Sequence, residues 1–353
     1  MTGLSGRVSD PHTTPLSIMD ATTRASAHAK AILLGEHAVV HGGPAISLPV
    51  HSLTLTATVT ATDRPLWIDS VLYRGPVAAA PQLLAAPITA ITATLERIGV
   101  PPAGLAVRID GEIPAERGLG SSAAVAAAIS TAVAAHHGVA LDDDTRFALV
   151  QAAERVAHGN PSGLDARSVV SPGPMWFRQG ASRPLPSRFA GVFVIADTGV
   201  HGRTREAVTA VGALKAAEPA RIDAVLARID AHTAAAVHDL AADDRTALGQ
   251  RMSAVHDLLR ELTVSSAELD ALVAAAHAAG ALGAKLTGGG RGGCVLALAA
   301  DEPQATRVAA ALRDAGAERT WLLHAAVTAA DVAEADAPAG APAVDATAKD
   351  AAE

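Results

Sequence analysis

The chain has 353 residues, half of them hydrophobic but only 2% aromatic, and a formal net charge of −8. That length exceeds the usual single core, so two domains are expected, packed largely by Ala, Val and Leu. The negative balance argues against nucleic-acid binding, the lone Cys294 excludes an internal disulfide and suits a reducing cytoplasm, and no apolar run reaches the roughly 18 residues of a membrane span.

Residues 1–24 mix Ser, Thr, Pro, Gly and Asp without a sustained period and are expected to be a disordered tail. They show no basic region followed by an apolar stretch, so no secretion signal is expected. Strand character runs from Ser26 to Ala61, with apolar Ala31–Leu34 and alternating Leu53–Val59. Inside it, Lys30 leads an apolar segment into Gly35-Glu36-His37, placing a cation and a carboxylate at opposite ends of a buried stretch. Taken alone, Lys30 reads more readily as a solvated strand-end lysine than as a buried group, and Glu36 with His37 can be a satisfied turn pair. Pro81–Ile98 looks helical and Leu105–Ile109 alternates like a strand.

The most informative segment follows. Gly118-Leu119-Gly120-Ser121-Ser122-Ala123 opens a long Ala/Val/Ile helix that ends near His136. Small residues let a backbone approach a ligand, and unpaired amides at a helix start favour an anion. Neither G-x-x-x-x-G-K-[ST] nor a clean G-x-G-x-x-G occurs. A plain helix start capped by a serine is the alternative. A further helix, Asp144–Ala157, carries Glu154, and a tight turn with Pro161 and Gly163 then delivers Asp165. Two carboxylates thus flank a rigid corner, one able to hold a metal and the other to accept a proton.

The Pro-, Ser- and Arg-rich stretch 178–188 is the expected domain boundary. Beyond it come a buried strand at Val192–Ala196, helices near Ala217–Ala241 and Ala247–Leu262, and a third at Glu268–Ala279. Then Thr287 leads into Gly288-Gly289-Gly290-Arg291-Gly292-Gly293, which suits either close packing against a ligand or a hinge. Strands at Cys294–Ala299 and Leu322–Val327 close the folded part, and residues 331–353 are expected to be a second disordered tail. Strands and helices mix without strict alternation, which favours an α+β fold.

The segments Lys30–Gly43, Pro114–Ala124 and Lys285–Cys294 resemble, in order and spacing, the three signature motifs of the GHMP kinases. Within that family, Gly35–Gly42, Glu154-Arg155 with His158–Gly163 and Asp165, and Ala196–Gly199 with Thr204-Arg205 are most similar to members acting on mevalonate. The resemblance covers about residues 25–328. It implies a half like ribosomal protein S5 domain 2 at 25–185, a ferredoxin-like half at 186–330, and ATP and mevalonate in the cleft between them.

It also implies roles by matching position. Asp165 is the catalytic base and Lys30 steadies it and the substrate hydroxyl. Glu154 and Ser122 hold Mg²⁺. Gly118, Leu119, Gly120, Ser121, Ser122 and Ala123 bind the phosphates of ATP. Gly288, Gly289, Gly290, Gly292 and Gly293 shape the site, Glu36 and His37 lie on the mevalonate side, and Thr204 stands near Asp165. Family members are often dimers, so a homodimer is the oligomer to test. Two departures stand out: Arg291 interrupts the glycine loop, and Glu116-Arg117 replaces the small residues often found before Gly118.

Overall fold

The computed structural model describes residues 22–185 and 188–325. Two sheets divide them. The first is built on β1 (Thr22–Leu34) and the 21-residue β2 (Ala45–Pro65), antiparallel from Thr22↔Thr60 to Leu34↔Ile46. Their outer ends alternate buried and open positions, as in a sheet with one wet face. Towards the interface both become continuously buried. The sheet is completed by β3 (Trp67–Ser70), β4 (Tyr73–Pro76), β5 (Ala103–Gly111), β6 (Met175–Arg178) and β7 (Ala181–Pro184). Its order is β4-β3-β5-β2-β6-β7, with β1 also on β2.

Helix α2 (Ser121–His136) lies on β1 and β2, with α1 (Ala85–Arg97) and α3 (Asp143–His158) packed against it. It is apolar on every side and buries Ala123, Ala124, Ala126, Ala127, Ala128, Ala132 and Ala134. Small side chains let the helix approach the sheet closely, which is how a chain with few aromatics fills its core. The five-residue α4 (Leu164–Ser168) follows α3.

The second sheet holds β8 (Val192–Asp197), β9 (Gly283–Thr287), β10 (Cys294–Ala299) and β11 (Arg319–His324), all antiparallel, in the order β11-β8-β10-β9. Numbered within this half, that is the 4-1-3-2 order of a ferredoxin-like sheet. Helices α5 (Thr204–Ala217), α6 (Pro219–Ala242), α7 (Arg245–Glu261) and α8 (Ala267–Ala278) separate β8 from β9, and α9 (Glu302–Asp314) separates β10 from β11. Asp142, Ser266 and Asp301 cap α3, α8 and α9, each accepting a bond from the amide three residues on.

Several boundaries differ from the sequence reading. Thr22–Arg24 belong to β1, inside the expected tail, because they pair with Thr60–Thr58. The stretch taken as a linker contains the last residue of β6 and the edge strand β7 paired with it. Helix α5 was not expected as a separate element. Pro219, at the first position of α6, cannot continue the helix before it, so the two part at Glu218. Strand β11 starts at Arg319, opposite Asp197. Residues 326–327 of the expected strand, and the tails at 1–21 and 331–353, lie outside the described residues.

Candidate active site

The site forms where the inner ends of the two sheets meet. Lys30 comes from the buried half of β1 and is only 2% exposed, so it is not a solvated strand-end lysine. Its Nζ lies 3.1 Å from Asp165 Oδ1 and donates to the Gly118 carbonyl at 3.0 Å. Asp165 sits in the first turn of α4, directly after the turn at Gly163 (φ 93°). A side chain at 163 would crowd the ring of Phe147 at 3.1 Å, so glycine there answers both conformation and space. Asp165 is partly open to solvent, with a side chain 34% exposed.

Glu154, on α3, is buried and faces both Asp165 and the Ser122 hydroxyl. Burial and the nearby Asp165 charge together raise its pKa, against the hydrogen bond from Ser122. Its Oε1 has no hydrogen-bond partner, and its Oε2 is 3.8 Å from His158 Nε2. Ser122 Oγ in turn lies 3.1 Å from that same nitrogen.

The start of α2 is not a serine-capped helix. Gly120 is the N-cap, at φ 76°, and supplies no side-chain acceptor. The first amides of α2, at Ser121, Ser122 and Ala123, precede any intrahelical acceptor, so they and the helix dipole present partial positive charge beside Lys30 and Asp165. A Cβ at Gly120 would lie 3.1 Å from the Lys30 side chain, so the glycine leaves room for the lysine to pass.

The glycine loop turns out to face protein rather than open space. A Cβ on Gly118 would meet the Thr287 carbonyl at 2.9 Å, and one on Gly288 would meet Gly118 Cα at 2.8 Å. The two loops pack backbone to backbone, and that contact is the steric reason for the small residues. The Gly289 carbonyl accepts from His37 Nε2 at 2.9 Å, and the Gly293 carbonyl accepts from the Thr198 amide at 3.0 Å. Gly290 and Gly292 are buried in the same loop. Arg291 does not enter the cleft: its amide donates to the Val264 carbonyl at 2.7 Å and its Nε to the Thr263 carbonyl at 3.4 Å, tying the loop to the end of α7. Thr204 opens α5 beside this loop, where a Cβ on Gly289 would approach its Oγ1 to 2.5 Å.

Glu36 and His37 are both buried. Glu36 is paired with Lys285 of β9, itself fully buried, across the junction of the two halves. Burial raises the Glu36 pKa and lowers that of Lys285, each opposed by the attraction of the other. Glu36 Oε2 has no partner. Burial also lowers the His37 pKa from 6.5 to about 4, so the ring is neutral at physiological pH.

A buried lysine on a half-open carboxylate, a second buried carboxylate beside a hydroxyl, and an uncapped helix start together suit transfer of an anionic group to an alcohol. The sequence comparisons agree. Residues 85–173 match the GHMP kinases N terminal domain, and residues 236–318 match the GHMP kinases C terminal domain. A mevalonate kinase of Aeropyrum pernix is 34% identical over 291 residues, covering 79% of this chain and 89% of that protein. The chain belongs to the GHMP kinases.

A mevalonate kinase of Pyrococcus horikoshii is also 34% identical to this GHMP kinase, over 83% of the chain and 92% of the relative. Among solved structures, L. major mevalonate kinase in complex with R-mevalonate superposes with a TM-score of 0.76 at 29% identity, covering 87% of this chain and 98% of that one. Methanococcus jannaschii mevalonate kinase gives a TM-score of 0.75 at 25% identity, with coverage of 87% and 99%. The α+β, two-sheet GHMP kinase fold is thereby established for this chain.

Sequence reasoning missed three contributors to the site of this kinase. Lys285 was read only as part of a motif, yet a single lysine in the buried strand Gly283–Thr287 demands a buried anion, and Glu36 supplies it. His158 was read only as part of a motif, and it contacts both Ser122 and Glu154. Arg117 was read only as a replacement of a small residue before Gly118, and its side chain reaches Asp197 of β8. The local sequence around Arg117 and Asp197 carries no sign that these two meet.

Proposed function

We infer that this chain is an ATP-dependent mevalonate kinase, phosphorylating the 5-hydroxyl of mevalonate to give 5-phosphomevalonate in isoprenoid biosynthesis. The observation that carries the reading is the Lys30–Asp165 pair, 3.1 Å apart beside the uncapped start of α2, in a chain about one-third identical to mevalonate kinases over most of its length. Asp165 is half-open and positioned to accept the hydroxyl proton, while Lys30 stabilises the developing alkoxide and holds the carboxylate in place. The backbone from Gly118 to Ala123 cradles the phosphates through amides and helix dipole. Phosphoryl transfer spreads negative charge over the equatorial oxygens, so this fixed positive potential favours the transition state over the ground state. Glu36 and His37 border the mevalonate side, and Thr204 and the loop Gly288–Gly293 wall the cleft from the second half.

The donor set fits Mg²⁺. This ion usually takes one or two protein carboxylates and completes its shell with phosphates and water, and Glu154 offers a buried, unpartnered oxygen beside the Ser122 hydroxyl. Bound there, Mg²⁺ would neutralise charge on the β- and γ-phosphates.

Residues 25–185 and 186–330 act as the two domains in this reading. No described helix is long and apolar enough to cross a membrane, and the reading takes the enzyme to be cytoplasmic. A homodimer is the oligomer suggested by the family. The test is ADP release with ATP and Mg²⁺ over a panel of mevalonate, phosphomevalonate, homoserine and galactose. Mevalonate is expected to give the highest kcat/KM, and a higher value for any of the other three overturns the assignment.

A further inference from the structure

Arg117 stands directly before Gly118, where GHMP kinases often carry a small residue, and none of the chemistry above uses it. Its side chain is 9% exposed and crosses to the second sheet, where Nε lies 2.8 Å from Oδ1 of the fully buried Asp197. Its Nη2 donates to the Gly199 carbonyl at 3.1 Å. Asp197 ends β8 and also accepts from the Gly199 amide at 2.9 Å. The outer charges, Glu318 near Arg117 and Arg319 near Asp197, each stand 3.9 Å away. The main chain makes the same crossing: the Glu116 carbonyl accepts from the Gly202 amide at 2.7 Å. Glu116 itself adopts φ 57°, in the left-handed region that non-glycine residues seldom occupy.

From this anchor the chain leads straight to the reacting groups. The next residue, Gly118, holds Lys30 Nζ on its carbonyl at 3.0 Å, and Lys30 holds Asp165 at 3.1 Å. Gly118 has φ 77° and Gly120 φ 76°, so the loop carrying that carbonyl has little conformational preference of its own. A buried ion pair on the adjacent residue supplies what the glycines lack. We infer that Arg117 is a positioning residue: its pairing with Asp197 fixes the Gly118 carbonyl, and through it the Lys30 ammonium against Asp165. The second half of the molecule would then orient the catalytic lysine of the first. The inference rests on the roles given above to Lys30 and Asp165.

Three variants with a common readout test it. Arg117→Met should lower kcat about 10–100-fold, the scale of a roughly 1 Å misplacement, with KM for mevalonate changed by less than about twofold. Combining it with Lys30→Met should cost no more than about threefold beyond Lys30→Met alone, because two residues acting as one unit are not additive. Removing both charges, in Arg117→Met/Asp197→Asn, should recover thermal stability lost in the single variant while kcat stays low. It also provides a folded protein should Arg117→Met alone fail to fold. Return of kcat to near the parent value in that double variant would reduce Arg117 to a structural residue and overturn the inference. So would losses from Lys30→Met and Arg117→Met that simply multiply. A Lys30→Met variant with near-parent activity would instead overturn the assignment of Lys30 itself, and the positioning role with it.

Discussion

Replacing Asp165 by Asn removes the proposed proton acceptor and leaves shape almost unchanged. Asp165 and Lys30 stand 3.1 Å apart, an attraction of about 5 kcal/mol at an effective dielectric of about 20. Only part of that is lost as stability. The Asp165 side chain is 34% exposed, so solvent screens it, and Lys30 keeps the Gly118 carbonyl and the field of Glu154. The stability cost should therefore lie between the roughly 1 kcal/mol of a surface pair and the roughly 3–5 kcal/mol of a broken buried one. The rate is different. General base assistance is worth about 10²–10⁴, or about 3–5 kcal/mol in the barrier. A folded enzyme with kcat reduced on that scale, and with ATP and mevalonate still bound, is the expected outcome. Initial rates of ADP release measure the first, and circular dichroism with a thermal melt measures the second. If Asp165 merely shapes the turn after Gly163, Asn will serve as well, since both residues suit turns. A kcat within a few-fold of the parent would therefore refute the base assignment.

Glu154→Gln should lower kcat and raise the Mg²⁺ concentration for half-maximal rate, while leaving the melting temperature equal or higher, because a buried charge facing Asp165 is removed. An unchanged Mg²⁺ dependence in the folded variant would place the metal elsewhere. Lys285→Met should destabilise by about 3–5 kcal/mol in urea, since Glu36 is left buried without its cation, and adding Glu36→Gln should recover most of the loss. A cost below about 1 kcal/mol would mean Glu36 takes up a proton freely in the variant. His28 and His37 are both lowered by burial from 6.5 to about 4. Between those values the unfolded chain binds more protons, so stability is full above pH 6.5 and falls as pH drops towards 4, by up to about 3 kcal/mol for each ring. Urea melts at pH 7 and pH 4.5 should show this slope. His28→Gln should flatten it, and an unchanged slope would refute the assignment to that ring.

Much of this protein is local information. Alternation in Leu53–Val59 announced β2, and the all-apolar run after Ser121 announced a buried helix, because strand and helix periods are written in neighbouring residues. The turn that delivers Asp165 was legible from Pro161 and Gly163, and the kinase motifs from their order along the chain. Helix α5 was not, since Thr204–Ala217 includes Gly212 and several β-branched residues and so carries a weak local signal. What only the tertiary structure decided is how distant segments meet. The glycines of the two loops looked like room for a ligand, and the fold uses that room to lay Gly118 on Gly288. Glu36 and Lys285 are 249 positions apart in the chain, yet they share one buried pair. Arg117 stood out only as a departure from the small residues often found before Gly118, and it is committed to Asp197. A charge declares in the sequence that it needs a partner. Which partner it finds depends on strand order and on the docking of the two halves, and neither is written in the residues beside it.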